Sequence, residues 1–203
     1  TQIVWRIRGL ILQQLWKTQK RTLSIFPAMG SPSLILTFGF IPKPACLQDH
    51  ILRADQICKG EFLFLNQCMI FQDHSPDWNV SPDKDRLWTY NLNYFEYAYD
   101  LLWAYRATEQ RSYLDCLIQL VQAWIMQNPF WKPISWNPYT VSKRLIVWTT
   151  LLGHLKDDPV FQQRCLGHLL ASLFQQADFL ARNPEYDIAN NHLITNARAL
   201  IWI

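Results

Sequence analysis

The sequence predicts an all-α fold built from antiparallel helix hairpins, with an irregular N-terminal region and one short strand. Three observations lead there. Half of the 203 residues are hydrophobic and only 17% are charged, which suits a packed core and excludes a disordered chain. From residue 88 onward, apolar residues recur with the 3.6-residue period of a helix over five segments. The breaks between those segments are short and carry Asn, Asp and Pro, so consecutive helices should fold back on one another. A chain of this length can form one domain with a sizeable core, or part of a larger one.

Residues 2 to 19 read as a basic amphipathic helix, with Ile3, Ile7, Leu10, Ile11 and Leu15 on one stripe. Thr22 to Pro42 carries no charge. A membrane span needs about 20 predominantly apolar residues, and this stretch is interrupted by Pro27, Gly30, Pro32, Gly39 and Pro42, so a packed irregular loop is expected instead. Residues 61 to 65 are short and aromatic and suggest a small strand. The helices follow: Tyr90 to Ala107, Ser112 to Gln127, Thr140 to Leu155, Pro159 to Arg182, and Asn191 onward. Leu92, Phe95, Tyr99 and Leu102 form the core-facing stripe of the first. The breaks are Asn128-Pro129, Trp136-Asn137-Pro138, Asp157-Asp158-Pro159 and Asn183-Pro184. The chain therefore divides into residues 1 to 59 and residues 60 to 203. Ala199 to Ile203 stop inside an apolar run without a terminating Gly, Asn or Pro, so a truncated domain is expected.

Composition narrows the partners. A net charge of +3 permits an acidic polymer without demanding one, and no basic run points to nucleic acid. The five cysteines, at 46, 58, 68, 116 and 165, contain no Cys-x-x-Cys pair, so buried free thiols are expected instead of a zinc site or disulfide framework. His50, His74, His154 and His168 lack metal-ligand spacing, and the six glycines form no phosphate loop. No cofactor or metal is expected. The chain starts at Thr1 and shows no signal peptide.

The polar cluster Asp187-Ile-Ala-Asn-Asn-His-Leu-Ile-Thr-Asn-Ala-Arg-Ala-Leu200 is the densest chemistry in the sequence. In a helix beginning near Asn190, that residue reads as the N-cap. Asn191, Thr195 and Arg198 then share a face. His192 and Asn196 are four apart, so the amide is expected to orient the imidazole. Amides, an imidazole and a guanidinium together suit an anionic ligand. Arg198 either binds that anion with its planar fork or pairs with Asp187 or Glu185.

Two further blocks complete a pattern. One reads Gly60-Glu-Phe-Leu-Phe-Leu-Asn66, Asp77-Trp78 and Leu87-Trp-Thr-Tyr90-Asn91-Leu-Asn-Tyr94-Phe-Glu-Tyr97. The other reads Trp136-Asn-Pro-Tyr139-Thr-Val-Ser142-Lys-Arg144-Leu-Ile-Val-Trp148. With the Asn-His element, in this order, they resemble the N-terminal helical domain of the heparinase II/III-like polysaccharide lyases over roughly residues 60 to 203. The resemblance implies an incomplete α/α toroid, with the rest of the ring and a β-sandwich domain lying beyond these residues. It implies β-elimination on a uronate-containing acidic polysaccharide, such as heparan sulfate, alginate or a bacterial exopolysaccharide, outside the cytoplasm. Asn191 would neutralise the uronate carboxylate, and His192 would assist as donor or general base. The family's catalytic Tyr falls outside this chain, so negligible turnover is expected of the 203 residues alone. Tyr90, Asn91, Trp136, Tyr139, Arg144, Asn196 and Arg198 are the candidate substrate contacts, with Trp131 a further ring at the cleft rim. Arg144 and Trp148, four apart, alternatively form a structural cation–π pair. Two rival readings remain: a toroid glycoside hydrolase, which needs two flanking carboxylates such as Glu96 and Asp100 or Glu185 and Asp187, and a non-catalytic helical module that binds glycan or protein.

Overall fold

The computed structural model describes residues 46–203 apart from 73, 74, 81, 83–85, 131, 189 and 190. The expected helix over residues 2 to 19 and the uncharged loop after it lie outside the described residues, as do Asn190 and Trp131. Between residues 46 and 59 the structure corrects the expected irregular region. Leu47–Cys58 is a helix, α1, that buries Ala54 and Ile57. Their three-residue spacing is a helical stripe, and it packs against two later helices.

Glu61–Phe64 (β1) is the expected strand, and Gln67–Ile70 (β2) pairs with it antiparallel, Phe64 opposite Gln67. The connecting Leu65 and Asn66 both have positive φ, 53° and 61°, as the two-residue hairpin turn that matches strand twist requires. Such turns ordinarily advertise themselves by Asn-Gly or Asp-Gly. Leu-Asn gives no such signal, and this is why the second strand is missed from sequence. Gly60, before β1, has φ +83°, and a Cβ there would stand 2.2 Å from the Phe71 carbonyl oxygen, so only glycine fits.

The helix expected over Tyr90 to Ala107 is two helices: α2 (Arg86–Tyr94) and α3 (Ala98–Thr108). The chain breaks at Phe95, which is fully buried with a left-handed φ of 65°. An L-residue pays of order 1–3 kcal/mol for that conformation. Burial of its ring offsets the strain. The ring stacks on Trp78 at 5.5 Å and meets Trp148 and Trp124 edge-on at 5.2 and 6.4 Å. A periodicity argument sees only the apolar position, not the tertiary contacts that turn the chain there.

Helix α3 is joined by two residues to α4 (Arg111–Gln127), and the two pack as an antiparallel hairpin. Helix α1 lies on both. His50 Nδ1 and Arg53 Nε approach Asp100 Oδ1 at 2.6 and 2.9 Å, and Tyr113 Oη donates to Asp55 at 2.7 Å. Helix α5 (Pro138–Leu155) begins as its sequence suggests. Asn137 is the N-cap, accepting from the Tyr139 and Thr140 amides at 3.1 and 3.4 Å, and Pro138 occupies the first turn. Asp158 likewise caps α6 (Pro159–Phe161), which leads through a π-helical turn, Gln162–Leu166, into α7 (Gly167–Arg182). Helix α8 (Asn191–Trp202) packs on α5 and α7. Thus the described part is mostly helical, with one two-stranded sheet.

The five cysteines are free, yet only Cys165 is buried, while Cys46 and Cys68 are exposed. Expected burial therefore fails for most of them. Cys46 precedes α1, and Cys68 lies on the partly exposed strand β2, where alternate side chains point outward. Among the described residues no helix is long and apolar enough to cross a membrane.

Candidate functional site

The first turn of α8, the first turns of α5 and the outer face of α2 meet in one place. Four rings run in series across them. Tyr90 stacks on Tyr94 at 6.4 Å, Tyr94 meets Tyr139 edge-on at 5.9 Å, and Tyr139 lies against the His192 imidazole at 4.3 Å. All four are half-buried, so each has one side packed and one available. Spacing explains the row: Tyr90 and Tyr94 are i, i+4 on one helix, and Tyr139 follows the cap that starts α5. Lys143, one turn after Tyr139, holds its ammonium 5.8 Å from the Tyr94 ring and is ion-paired to Glu96. Burial, with the Tyr139 and Tyr90 phenols alongside, pushes the Tyr94 phenol well above its ordinary pKa. At neutral pH it is a neutral donor and stacking surface.

At the head of α8, Asn191 is exposed, and its carbonyl accepts from Thr195 Oγ1 at 2.7 Å. Next to it, His192 Nδ1 lies 3.2 Å from Glu185 Oε1. Glu185 is only 3% exposed. Its other oxygen accepts from Asn196 Nδ2 at 3.2 Å, and Asn196 also donates to Ser142 Oγ at 2.9 Å. Asn196 Oδ1 accepts from the Glu185 amide at 2.9 Å. A half-buried imidazole is therefore carried on a buried network that ties α8 to α5. The sequence reading that Asn196 orients His192 is corrected here, because Glu185 stands between them.

Three of the expected substrate contacts are likewise beneath the surface. Asn196 is 1% exposed and its amide groups are all engaged in that network. Trp136 is 1% exposed, donates from Nε1 to the Asn128 carbonyl at 3.1 Å, and packs edge-on against Phe130 and Phe179. Arg144 is completely buried. Its Nε donates to Gln176 Oε1 at 2.7 Å, and its two terminal nitrogens donate to the carbonyls of Asn93 and Ser135 at 3.0 and 2.8 Å. The guanidinium also lies 3.8 Å from the Trp124 ring centre and 5.8 Å from that of Trp148. Burial pulls its pKa well below the ordinary value. Arg144 thus satisfies the Asn93 carbonyl near the end of α2, just before Phe95 breaks the chain, and the Ser135 carbonyl in the turn before α5.

The remaining candidates sit at the surface or near it. Asn91 is half-buried and donates to the Leu87 carbonyl at 2.8 Å. Arg198 is exposed and stands 5.3 Å over the Trp202 ring, while Glu185 contacts His192 and Asn196. Tyr94, Lys143, Ser142 and Glu185 are not among the residues that the sequence assigns a binding or catalytic role in the lyase reading. Tyr94 had a signal, its i+4 relation to Tyr90, but Glu185 lies in an irregular turn whose reach to His192 no periodicity reveals. A separate cavity of about 270 Å³ lies between α1, β1 and α3, lined by residues including Arg53, Phe62, Glu96, Tyr97 and Asp100; it contains the Glu96 and Asp100 pair of the hydrolase reading and none of the residues expected for the lyase site. Among the described residues no group of His, Cys, Asp and Glu is placed to hold a metal.

The geometry offers an exposed amide and an imidazole at the end of a row of rings, beside a lysine. Sugars stack on such rings, and amide and imidazole serve an anionic carbon acid. Comparison with known proteins bears on that chemistry. Residues 50–203 match the model of the family described as heparinase II/III N-terminus. Over 136 residues the chain is 31% identical to a heparin-sulfate lyase of Bacteroides thetaiotaomicron, covering 64% of this chain and 19% of that protein. It shares its fold with a heparan sulfate lyase HepC mutant from Pedobacter heparinus, with a TM-score of 0.71 at 21% identity over 82% of this chain and 28% of that one. A crystal structure of heparinase III superposes with a TM-score of 0.68 at 24% identity, covering 87% of this chain and 28% of the other. The chain spans less than a third of the length of each.

Proposed function

The chain belongs to the heparinase II/III N-terminus family, and on that premise we propose that it supplies the first part of a lyase cleaving uronate-containing acidic polysaccharide by β-elimination. In this reading helices α2 to α8 open an incomplete α/α toroid, and the ring row Tyr90, Tyr94 and Tyr139 leads the polymer to the head of α8. The observation that carries the proposal is the pairing of exposed Asn191 with His192, whose Nδ1 lies 3.2 Å from buried Glu185.

The chemistry explains why those groups are needed. A base removes the proton at C5 of the uronate, the electron pair forms the C4–C5 double bond, and the C4–oxygen bond breaks. The departing glycosidic oxygen takes a proton from an acid. The C5 proton is barely acidic while the adjacent carboxylate keeps its full charge. A donor on that carboxylate stabilises the dianion as it develops, worth about 2.7–4 kcal/mol for one well-placed amide. Asn191 is assigned that role, and His192 acts beside it as donor or general base. Exposed Arg198 and half-buried Lys143 supply positive charge for a carboxylate or sulfate. Heparan sulfate is the first substrate to test, with alginate second, and the family membership supports a periplasmic or extracellular location.

The test uses the polypeptide that carries this chain through to the length of its relatives, incubated with heparan sulfate. A rise in ultraviolet absorbance from the unsaturated uronate is the expected result. New reducing ends without that absorbance would replace the lyase with a hydrolase. Retention of the polymer without cleavage would leave a glycan-binding module.

A further inference from the structure

His192 stands in the lyase reading with two possible roles, donor or base, and the hydrogen bonds behind it discriminate between them. The direction of those bonds can be followed outward from the backbone. A backbone amide only donates, so the atom of Asn196 that accepts from Glu185 N–H at 2.9 Å is its oxygen. Its amide nitrogen then faces Ser142 Oγ at 2.9 Å and Glu185 Oε2 at 3.2 Å. Glu185 is thereby held with Oε2 toward Asn196 and Oε1 3.2 Å from His192 Nδ1. An ionised carboxylate has no proton to give. The proton in that contact is on Nδ1, and the neutral ring keeps its lone pair on Nε2. Nε2 has no hydrogen-bond partner among the described residues, and one face of the ring is covered by Tyr139 at 4.3 Å.

We infer that Glu185 is a positioning residue that locks His192 as the Nδ1–H tautomer, so that Nε2 is the site's proton acceptor and His192 serves as base, not as neutral donor. Glu185 acts through the imidazole and does not meet the polymer, since its side chain is 4% exposed against 36% for that of His192. What Nε2 accepts rests on the lyase reading. The tautomer does not, because it is a property of the protein without substrate.

The experiment is nitrogen NMR of histidine-labelled protein, at a pH where the imidazole is neutral. The signals of His192 are identified among the five histidines by their loss in His192→Gln. Wild type should show the proton on Nδ1. In Glu185→Gln, Asn196 Nδ2 still requires an acceptor, so the new carbonyl turns to it and the new amide NH₂ faces Nδ1. His192 should then switch to the Nε2–H form. Wild type with the proton on Nε2, an even mixture of tautomers, or an unswitched ring in a folded Glu185→Gln protein would each overturn the inference. If that variant does not fold, the wild-type spectrum alone decides. A kinetic arm separates this inference from the one beneath it. In the polypeptide that carries this chain to the length of its relatives, the wrong tautomer should lower kcat by about 10²–10⁴ with KM little changed. A switched tautomer with unchanged kcat would leave the positioning intact and remove His192 from the chemistry.

Discussion

Two polar centres share helix α5, and they are built on opposite plans. Around Arg144 everything is internal: the guanidinium is fully buried, and its three donor nitrogens reach Gln176 and the carbonyls of Asn93 and Ser135. Around His192 the buried groups, Glu185, Asn196 and Ser142, form a base on which Asn191, His192 and Tyr139 stand partly or wholly in solvent. A burial-driven demand for partners explains the first centre completely. It does not explain why, among the described residues, an amide and an imidazole should be left with unengaged groups in the second. That difference separates a centre of stability from the centre proposed for function, although in the sequence both look like polar residues beside aromatic ones.

Breaking the first centre should give the largest effect. Arg144→Ala should destabilise the fold by about 3–5 kcal/mol, because buried acceptors lose their donors and a cavity opens. Arg144→Lys should recover little, since a single ammonium cannot span three acceptors in a plane. Denaturant unfolding checks both. Next, Asn196→Ala tests the join between the centres and should cost about 1–3 kcal/mol by leaving Glu185 and Ser142 without a buried donor. Tyr139→Ala, at the exposed centre, should lower stability by about 1 kcal/mol and weaken oligosaccharide binding about tenfold, while Tyr139→Phe binds normally. Titration calorimetry measures that contrast. Smallest is a change remote from both centres. Leu65→Gly, at φ 53°, should leave stability unchanged or raise it by up to about 1 kcal/mol by relieving the left-handed strain.

Much of this architecture is legible in the sequence where local signals agree. Asn137-Pro138 is a cap followed by a first-turn proline, and α5 begins there. Residues 112 to 127 are apolar at helical spacing, and α4 begins one residue earlier, at Arg111, and ends with them at Gln127. The clustering of Asn191 and His192 at the start of α8 is also readable from the break at Asn183-Pro184 and the apolar run that follows. Illegible parts depend on contacts between distant residues. Phe95 breaks a periodic helix only because Trp78, Trp124 and Trp148 surround it. Arg144, Trp136 and Asn196 have the residue types of ligand contacts, and only their tertiary neighbours reveal that they face inward. Glu185 reaches His192 from an irregular turn seven residues earlier, outside any helix to which a periodic spacing would apply.

Substitution of Asn191 tests the functional centre most directly. In the polypeptide that carries this chain to the length of its relatives, kcat of Asn191→Ala on a uronate polymer should fall by about 10²–10³, with a smaller change in KM and an unaltered unfolding midpoint. Near-normal kcat in the folded variant would contradict the account and reduce the head of α8 to a helix start.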